Sequence, residues 1–251
     1  MQKTFDNAPL LTADSVIERL RALADPDKAA VLARFFKTGK GGYGEGDKFL
    51  GIPVPPQREL AKRCTLLPLT EIERLLESGY HECRLTALLT LVRIYGKAKD
   101  TETRESIYDF YIAHYERINN WDLVDLSAPQ IVGGHILRNK RYGELTTFAA
   151  SPSLWLQRIS IVSTYTLIKA GEFTPTFEVS KALLHHNHDL IHKAVGWMLR
   201  EVGKRDMEAE EAFLLDGGRY RTMPRTMLRY AIEKFPEEKR RMYLCLLYTS
   251  D

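Results

Sequence analysis

A chain of 251 residues that is 44% hydrophobic and 27% charged carries enough apolar surface to bury a core, which excludes an intrinsically disordered chain. Its net charge of +3 permits a polyanionic partner without requiring one, so the placement of the basic residues must decide. No apolar run is long enough to span a bilayer, the first residues lack the apolar core of a secretory signal, and Cys64, Cys83 and Cys245 fit neither metal spacing nor a disulfide framework. A cytoplasmic, nucleoid-associated protein is expected, with no membrane partner.

Along the chain, apolar residues return at helical spacing, first at Val16, Ile17, Leu20 and Leu23, then at Val31, Leu32, Phe35 and Phe36. Asp25 before Pro26, Ser151 before Pro152 and Thr174 before Pro175 each place a capping side chain ahead of a proline suited to the first helical position. Thr70 with Glu73 reads as a capping box. The glycine-rich stretch from Gly39 to Lys48 lacks the ending of a phosphate-binding loop; it is either a mobile connector or a contact to DNA through its tyrosine and lysines. Nothing alternates like a strand. The last eight residues, from Leu244 to Asp251, follow a charged helix with an uncapped apolar run, and no functional reading rests on them.

Repetition is the more telling pattern. Arg84, Arg158, Lys193 and Arg225 each precede a small, apolar helical run, at intervals of 74, 35 and 32 residues; half the first interval falls near 121, where Trp121-Asp122-Leu123-Val124-Asp125 stands. A period of roughly 30 to 40 residues marks stacked helix pairs. The expected fold is therefore all-α, an α-solenoid of HEAT-like helix pairs in one domain over 1–251, ordered from about residue 10 to about residue 240. Stacking would line Arg84, Arg158, Lys193 and Arg225 along a concave basic face suited to a phosphate backbone.

Trp121 and Asp125 are one helical turn apart and share a face, and Trp121, Trp155 and Trp197 fall in three consecutive repeat helices. Together with Leu154-Trp155-Leu156-Gln157-Arg158, the run from Lys193 to Glu201, and Phe49-Leu50-Gly51-Ile52 followed by prolines, these segments resemble the bacterial DNA alkylation repair glycosylases of the AlkD type, from about residue 15 to about residue 235. The resemblance implies a catalytic aspartate at Asp125, lesion-flanking tryptophans at Trp121 and Trp197, and a backbone-gripping arginine at Arg158. It also implies that the lesion stays stacked rather than being flipped into a pocket. Phe35 stands where some members have a tyrosine, and the stretch from Gly39 to Lys48 is longer than in some members. Phe35, Tyr43, Lys48, Arg84, Lys193 and Arg225 are the expected further DNA contacts.

The chemistry agrees with those residue types. A purine alkylated at N3 or N7 is cationic and leaves neutral without a proton, so the developing oxocarbenium-like sugar is what needs stabilising, and a carboxylate does that. At about 4 Å the attraction is about 1 kcal/mol in bulk water and about 4 kcal/mol at an effective dielectric of about 20. The difference of about 3 kcal/mol corresponds to about two powers of ten in rate, which gives indole rings that exclude water a direct role. The expectation is a monomeric glycosylase acting on alkylated double-stranded DNA, without metal or cofactor; the alternative is a non-catalytic scaffold binding nucleic acid or protein. His185, His186, His188 and His192 are the rival constellation for zinc, against which stand the missing HExxH pattern and their place at a helix junction, where capping is their commoner task.

Overall fold

The computed structural model describes residues 8–245, so most of the tail set apart above, residues 246–251, lies outside the described residues, as does the side chain of Cys245. Among the described residues all regular elements are helical, apart from one isolated bridge between the main chains of Lys48 and Tyr80. The fold is an α-solenoid of helix pairs, and the chain divides into two compact units at Ile131 and Val132. No described helix is long and apolar enough to cross a membrane.

The first unit contains α1 (Ala13–Ala22), α2 (Pro26–Phe35), α3 (Val54–Arg63), α4 (Leu69–Leu76), α5 (His81–Lys97), α6 (Thr101–Ala113) and α7 (Trp121–Asp125). Its axis is α5, buried without a break from His81 to Leu91. A helix closed to water on all sides needs partners around it, and α3 and α4 supply them, with α1 behind α4. Cys64 and Cys83 are free and buried, and burial pushes the Cys64 thiol up to about 11, which makes it an inert core residue.

The second unit contains α8 (Gly134–Asn139), α9 (Gly143–Ala149), α10 (Leu154–Lys169), α11 (Thr174–Ala182), α12 (Asp189–Gly203), α13 (Met207–Leu215), α14 (Arg219–Thr222), α15 (Arg225–Ala231) and α16 (Glu237–Cys245). Helix α10 packs on α9, α11 and α12, and α12 in turn packs on α13 and α15, the serial contact of a stacked array. Gly196 sets the closeness of the last pair: a Cβ there would lie 2.4 Å from the Met227 carbonyl oxygen and 2.5 Å from the Tyr230 Cβ.

Local signals fared unevenly. Asp25 caps α2 as expected, its Oδ1 accepting the Lys28 amide at 3.1 Å with Pro26 in the first turn. By contrast Pro152 lies outside α10, which Ser153 caps, and Thr174 is the first residue of α11 rather than its cap. The capping box at Thr70 does not form, because Pro68 precedes α4 and the Glu73 carboxylate turns instead to His114 Nε2 at 3.0 Å. The apolar stripe read over α2 is only partly covered: Phe36, just past the helix, is buried, whereas Val31 and Phe35 are both more than half exposed. Replacing Gly196 by Ala is expected to lower stability by about 1–3 kcal/mol despite the better helix former, seen as a lower urea midpoint at unchanged slope; wild-type stability would mean that α12 and α15 are not in backbone contact.

Candidate functional site

Helix α7 has only five residues, far fewer than a helix needs to persist alone, so whatever fixes Trp121 and Asp125 must come from its surroundings. Asn120 caps it, with Oδ1 accepting the Trp121 amide at 2.8 Å, and Leu123 and Val124 are fully buried beneath it. Just beyond it, Ser127 Oγ donates to the Leu123 carbonyl at 2.5 Å and accepts a hydrogen bond from the Tyr111 hydroxyl at 2.8 Å. Burial first, and then the negative charge of Asp125, push the Tyr111 phenol well above its ordinary value, so it remains a neutral donor. Trp121 and Asp125 close the two ends of this helix, both half-buried.

The Trp121 indole belongs to an aromatic group. It stacks on Phe36 with centroids 5.3 Å apart and an interplanar angle of 24°, meets Phe35 edge-on at 6.0 Å, and donates from Nε1 to the Tyr43 hydroxyl at 3.2 Å. Phe36 is buried, whereas Phe35 is 60% exposed, so the outer ring of the group faces solvent. The stretch from Gly39 to Lys48 is a series of turns rather than a featureless connector: the Gly41 amide donates to Glu45 Oε2 at 2.7 Å, and a Cβ at Gly44 would lie 2.4 Å from the Phe36 carbonyl oxygen. Lys48 is anchored by its main chain, donating to the Gly79 carbonyl at 3.2 Å and accepting from the His81 amide at 2.8 Å, while its side chain is exposed.

Beneath the aromatic group lies a buried ionic network that periodicity and motif did not reveal. His81, the first residue of α5, directs Nε2 to Asp122 Oδ2 at 2.8 Å and Nδ1 to Asp47 Oδ2 at 3.2 Å. Asp47 is also paired with Arg84 and receives the Asn120 side-chain amide at 3.4 Å. Phe49 and Phe36 cover the imidazole, at 4.6 and 5.1 Å between centroids. Burial disfavours the imidazolium, but the bonds to Asp122 and Asp47 outweigh it and raise the His81 pKa to about 9. For Asp47 burial likewise opposes charge, and the bond from His81 with the Arg84 and His81 charges holds its pKa below the usual carboxylate value. The next residue, Glu82, is buried as well and gathers three main-chain amides, accepting from Leu50 at 2.9 Å, Gly51 at 2.8 Å and Ile52 at 3.2 Å, so the loop before α3 is pinned to the start of α5.

Of the residues read from the sequence, the first unit thus brings together Phe35, Tyr43 and Trp121, with Asp125 at the far end of α7. Arg84, expected on the DNA-binding row, is instead only 4% exposed, held by Asp47 and by the Ser78 carbonyl at 3.0 Å; its donors are turned into the fold. In the second unit Trp155 lies in the first turn of α10 and Trp197 on α12, half-buried, 6.0 Å from the Tyr165 ring. Arg158 is also 4% exposed and donates to the Leu190 carbonyl at 2.5 Å, and Arg225 donates to the Leu244 carbonyl at 3.1 Å. Lys193 and Arg225 are only half-buried, and Lys193 is bridged to Asp189 at 2.7 Å. A row of four uncommitted cations is therefore not what the repeat positions form; two are buried and tie a helix to neighbouring backbone.

At the histidine cluster, His188 caps α12 by accepting the Leu190 amide at 3.1 Å, His186 accepts the His188 amide at 3.0 Å and donates to Gln157 Oε1 at 2.9 Å, and His192 donates to the His186 carbonyl. Among the described residues no group of three or more histidine, cysteine, aspartate or glutamate side chains is placed to hold a metal ion.

Stacked helix pairs of this kind are shared with a solved structure, that of a predicted DNA alkylation repair enzyme from Enterococcus faecalis, which is similar to this chain with a TM-score of 0.68 over 85% of this chain and 97% of that one. At 17% identity that likeness speaks for the fold. The family model described as DNA alkylation repair enzyme matches residues 16–235, and this chain belongs to that family, with a role in DNA repair and DNA as its partner. It matches none of the curated proteins with which it was compared.

Three buried amides are shared between the two carboxylate oxygens of Glu82, so its replacement by Gln keeps one acceptor but turns a side-chain NH2 group against the amide or amides on the other side. The expected result is a loss of about 2 kcal/mol in chemical denaturation; a change under about 0.5 kcal/mol would mean that the loop before α3 holds itself.

Proposed function

We propose that this protein is a DNA glycosylase that releases cationic N3- and N7-alkylated purines from duplex DNA by hydrolysis of the N-glycosidic bond. The observation that carries the reading is Asp125 on the same short helix as a half-buried tryptophan, with that helix clamped at both ends. A carboxylate so held can face a sugar that becomes positive without first having to reorganise, which is the condition under which charge stabilisation lowers a barrier. The leaving base is already cationic and needs no acid partner, and Asp125 can also orient the attacking water. Trp121 offers its ring to the cationic nucleotide and keeps water from the carboxylate, and the resemblance gives Trp197 the same task. Arg158 takes the phosphate in this reading, its direction fixed by the Leu190 carbonyl. Phe35, Tyr43 and Lys48, together with Lys193 and Arg225, are proposed as contacts to the duplex. The protein is proposed to act as a monomer in the cytoplasm.

A scaffold that only binds nucleic acid has no use for a carboxylate fixed beside a tryptophan, and base release separates the two readings. Asp125→Asn is expected to keep DNA affinity while slowing release of 7-methylguanine at least about tenfold; unchanged release would remove Asp125 from the chemistry, and no release by the wild type would favour the scaffold. For Arg158→Ala, weaker binding to all sequences with a salt slope smaller by about 1 is expected, and an unaltered slope would assign Arg158 to packing alone.

A further inference from the structure

Two acceptors face the two ring nitrogens of His81: Asp122 Oδ2 at 2.8 Å and Asp47 Oδ2 at 3.2 Å. Neutral imidazole has one N–H and one lone pair, so opposite two ionised carboxylates it must turn that lone pair on one of them; only the imidazolium satisfies both. With His81 and Arg84 positive and Asp47 and Asp122 negative, the buried cluster is neutral. Loss of the His81 proton would leave a net negative charge enclosed by Phe36 and Phe49, with both carboxylates almost out of reach of water. The charged groups facing the ring are Asp122 from α7, Asp47 from the loop before α3, and Arg84 from the following turn of α5, while Glu82 is turned to the amides of residues 50–52.

Each partner of His81 is also a support of α7. Asp122 lies inside that helix, where its Oδ1 accepts the Leu123 amide at 2.9 Å. Asp47 receives the side chain of Asn120, the cap, and Phe36 lies tilted against the His81 ring and stacks on the Trp121 indole. Building on the glycosylase reading above, we infer that His81 is a positioning residue, whose imidazolium ties Asp122 and Asp47 together and thereby sets the placement of Trp121 and Asp125, so that the site is assembled only while this histidine keeps its proton.

The sign follows from the raised pKa. The folded value of about 9 lies above the ordinary value of 6.5, so the stabilisation from His81 is complete below about 6.5 and is lost as pH rises through about 9. A purely structural histidine would lower global stability there without moving Trp121 while the protein remains folded. The test measures, from pH 7 to 10.5, release of 7-methylguanine from duplex DNA, helicity by circular dichroism, and the fluorescence of Trp121 in a Trp155→Phe, Trp197→Phe background. The same three are then measured with His81→Gln and Asp122→Asn added, a pair that keeps the cluster neutral without a titrating group and shares any pH effect of the substrate. Expected are a one-proton change in Trp121 fluorescence near pH 9 with helicity retained, and a fall in wild-type release of at least about tenfold relative to the substituted pair. Flat Trp121 fluorescence, or the same transition in the paired variant, would overturn the inference. If no base is released at any pH, the glycosylase reading fails, and the fluorescence titration still decides for or against His81; should the paired variant not fold, the wild-type titration decides in the same way.

Discussion

A five-residue helix has no stability of its own, and the chemistry proposed for this protein sits on one. The contact on which the rest depends is the buried link between His81 and Asp122, because it joins that helix to α5, the most deeply enclosed element of the first unit. Rigid placement passes outward from there: Glu82 fixes the loop before α3, Asp47 gathers His81, Arg84 and Asn120, and Phe36 carries the order on to Trp121. Half-buried side chains, Trp121 and Asp125, carry the proposed chemistry, and buried charge carries their geometry.

This division of labour fits the kind of catalysis proposed. Where the leaving group brings its own positive charge, the protein need not supply a proton, and what remains is to hold a negative charge at the right place in partly dry surroundings. A carboxylate free to swing would lose the advantage of a low effective dielectric, since water would follow it. The network under α7 answers that requirement without itself touching the substrate.

The sequence discloses those features that depend on near neighbours. Helical periodicity, the cap at Asp25 and the shared face of Trp121 and Asp125 are local, and the structure has helices in those places. The basic repeat positions are legible as a pattern, but not the bonds they make: Arg84 and Arg158 each donate to a neighbouring main-chain carbonyl, which the pattern does not disclose. Ser151, Thr174 and Glu73 miss their expected capping tasks: Ser153 caps α10 instead, α11 begins at Thr174 itself with no side-chain cap, and Glu73 turns to His114. His81 carries no local signal, because its partners lie 34 and 41 residues away, on different elements. Asp122 lies between Trp121 and Leu123, and its buried carboxylate requires a partner that its sequence neighbours do not supply.

In the proposed reaction a fixed negative charge at Asp125 serves a base that departs without a proton from the protein. The most direct measurement compares two duplexes of one sequence that carry either 7-methylguanine or the neutral base hypoxanthine at the same position, under single-turnover conditions. The account predicts release of 7-methylguanine and none of hypoxanthine above the spontaneous rate. Release of hypoxanthine at a comparable rate would contradict it, because a neutral purine can leave that readily only if the site supplies an acid.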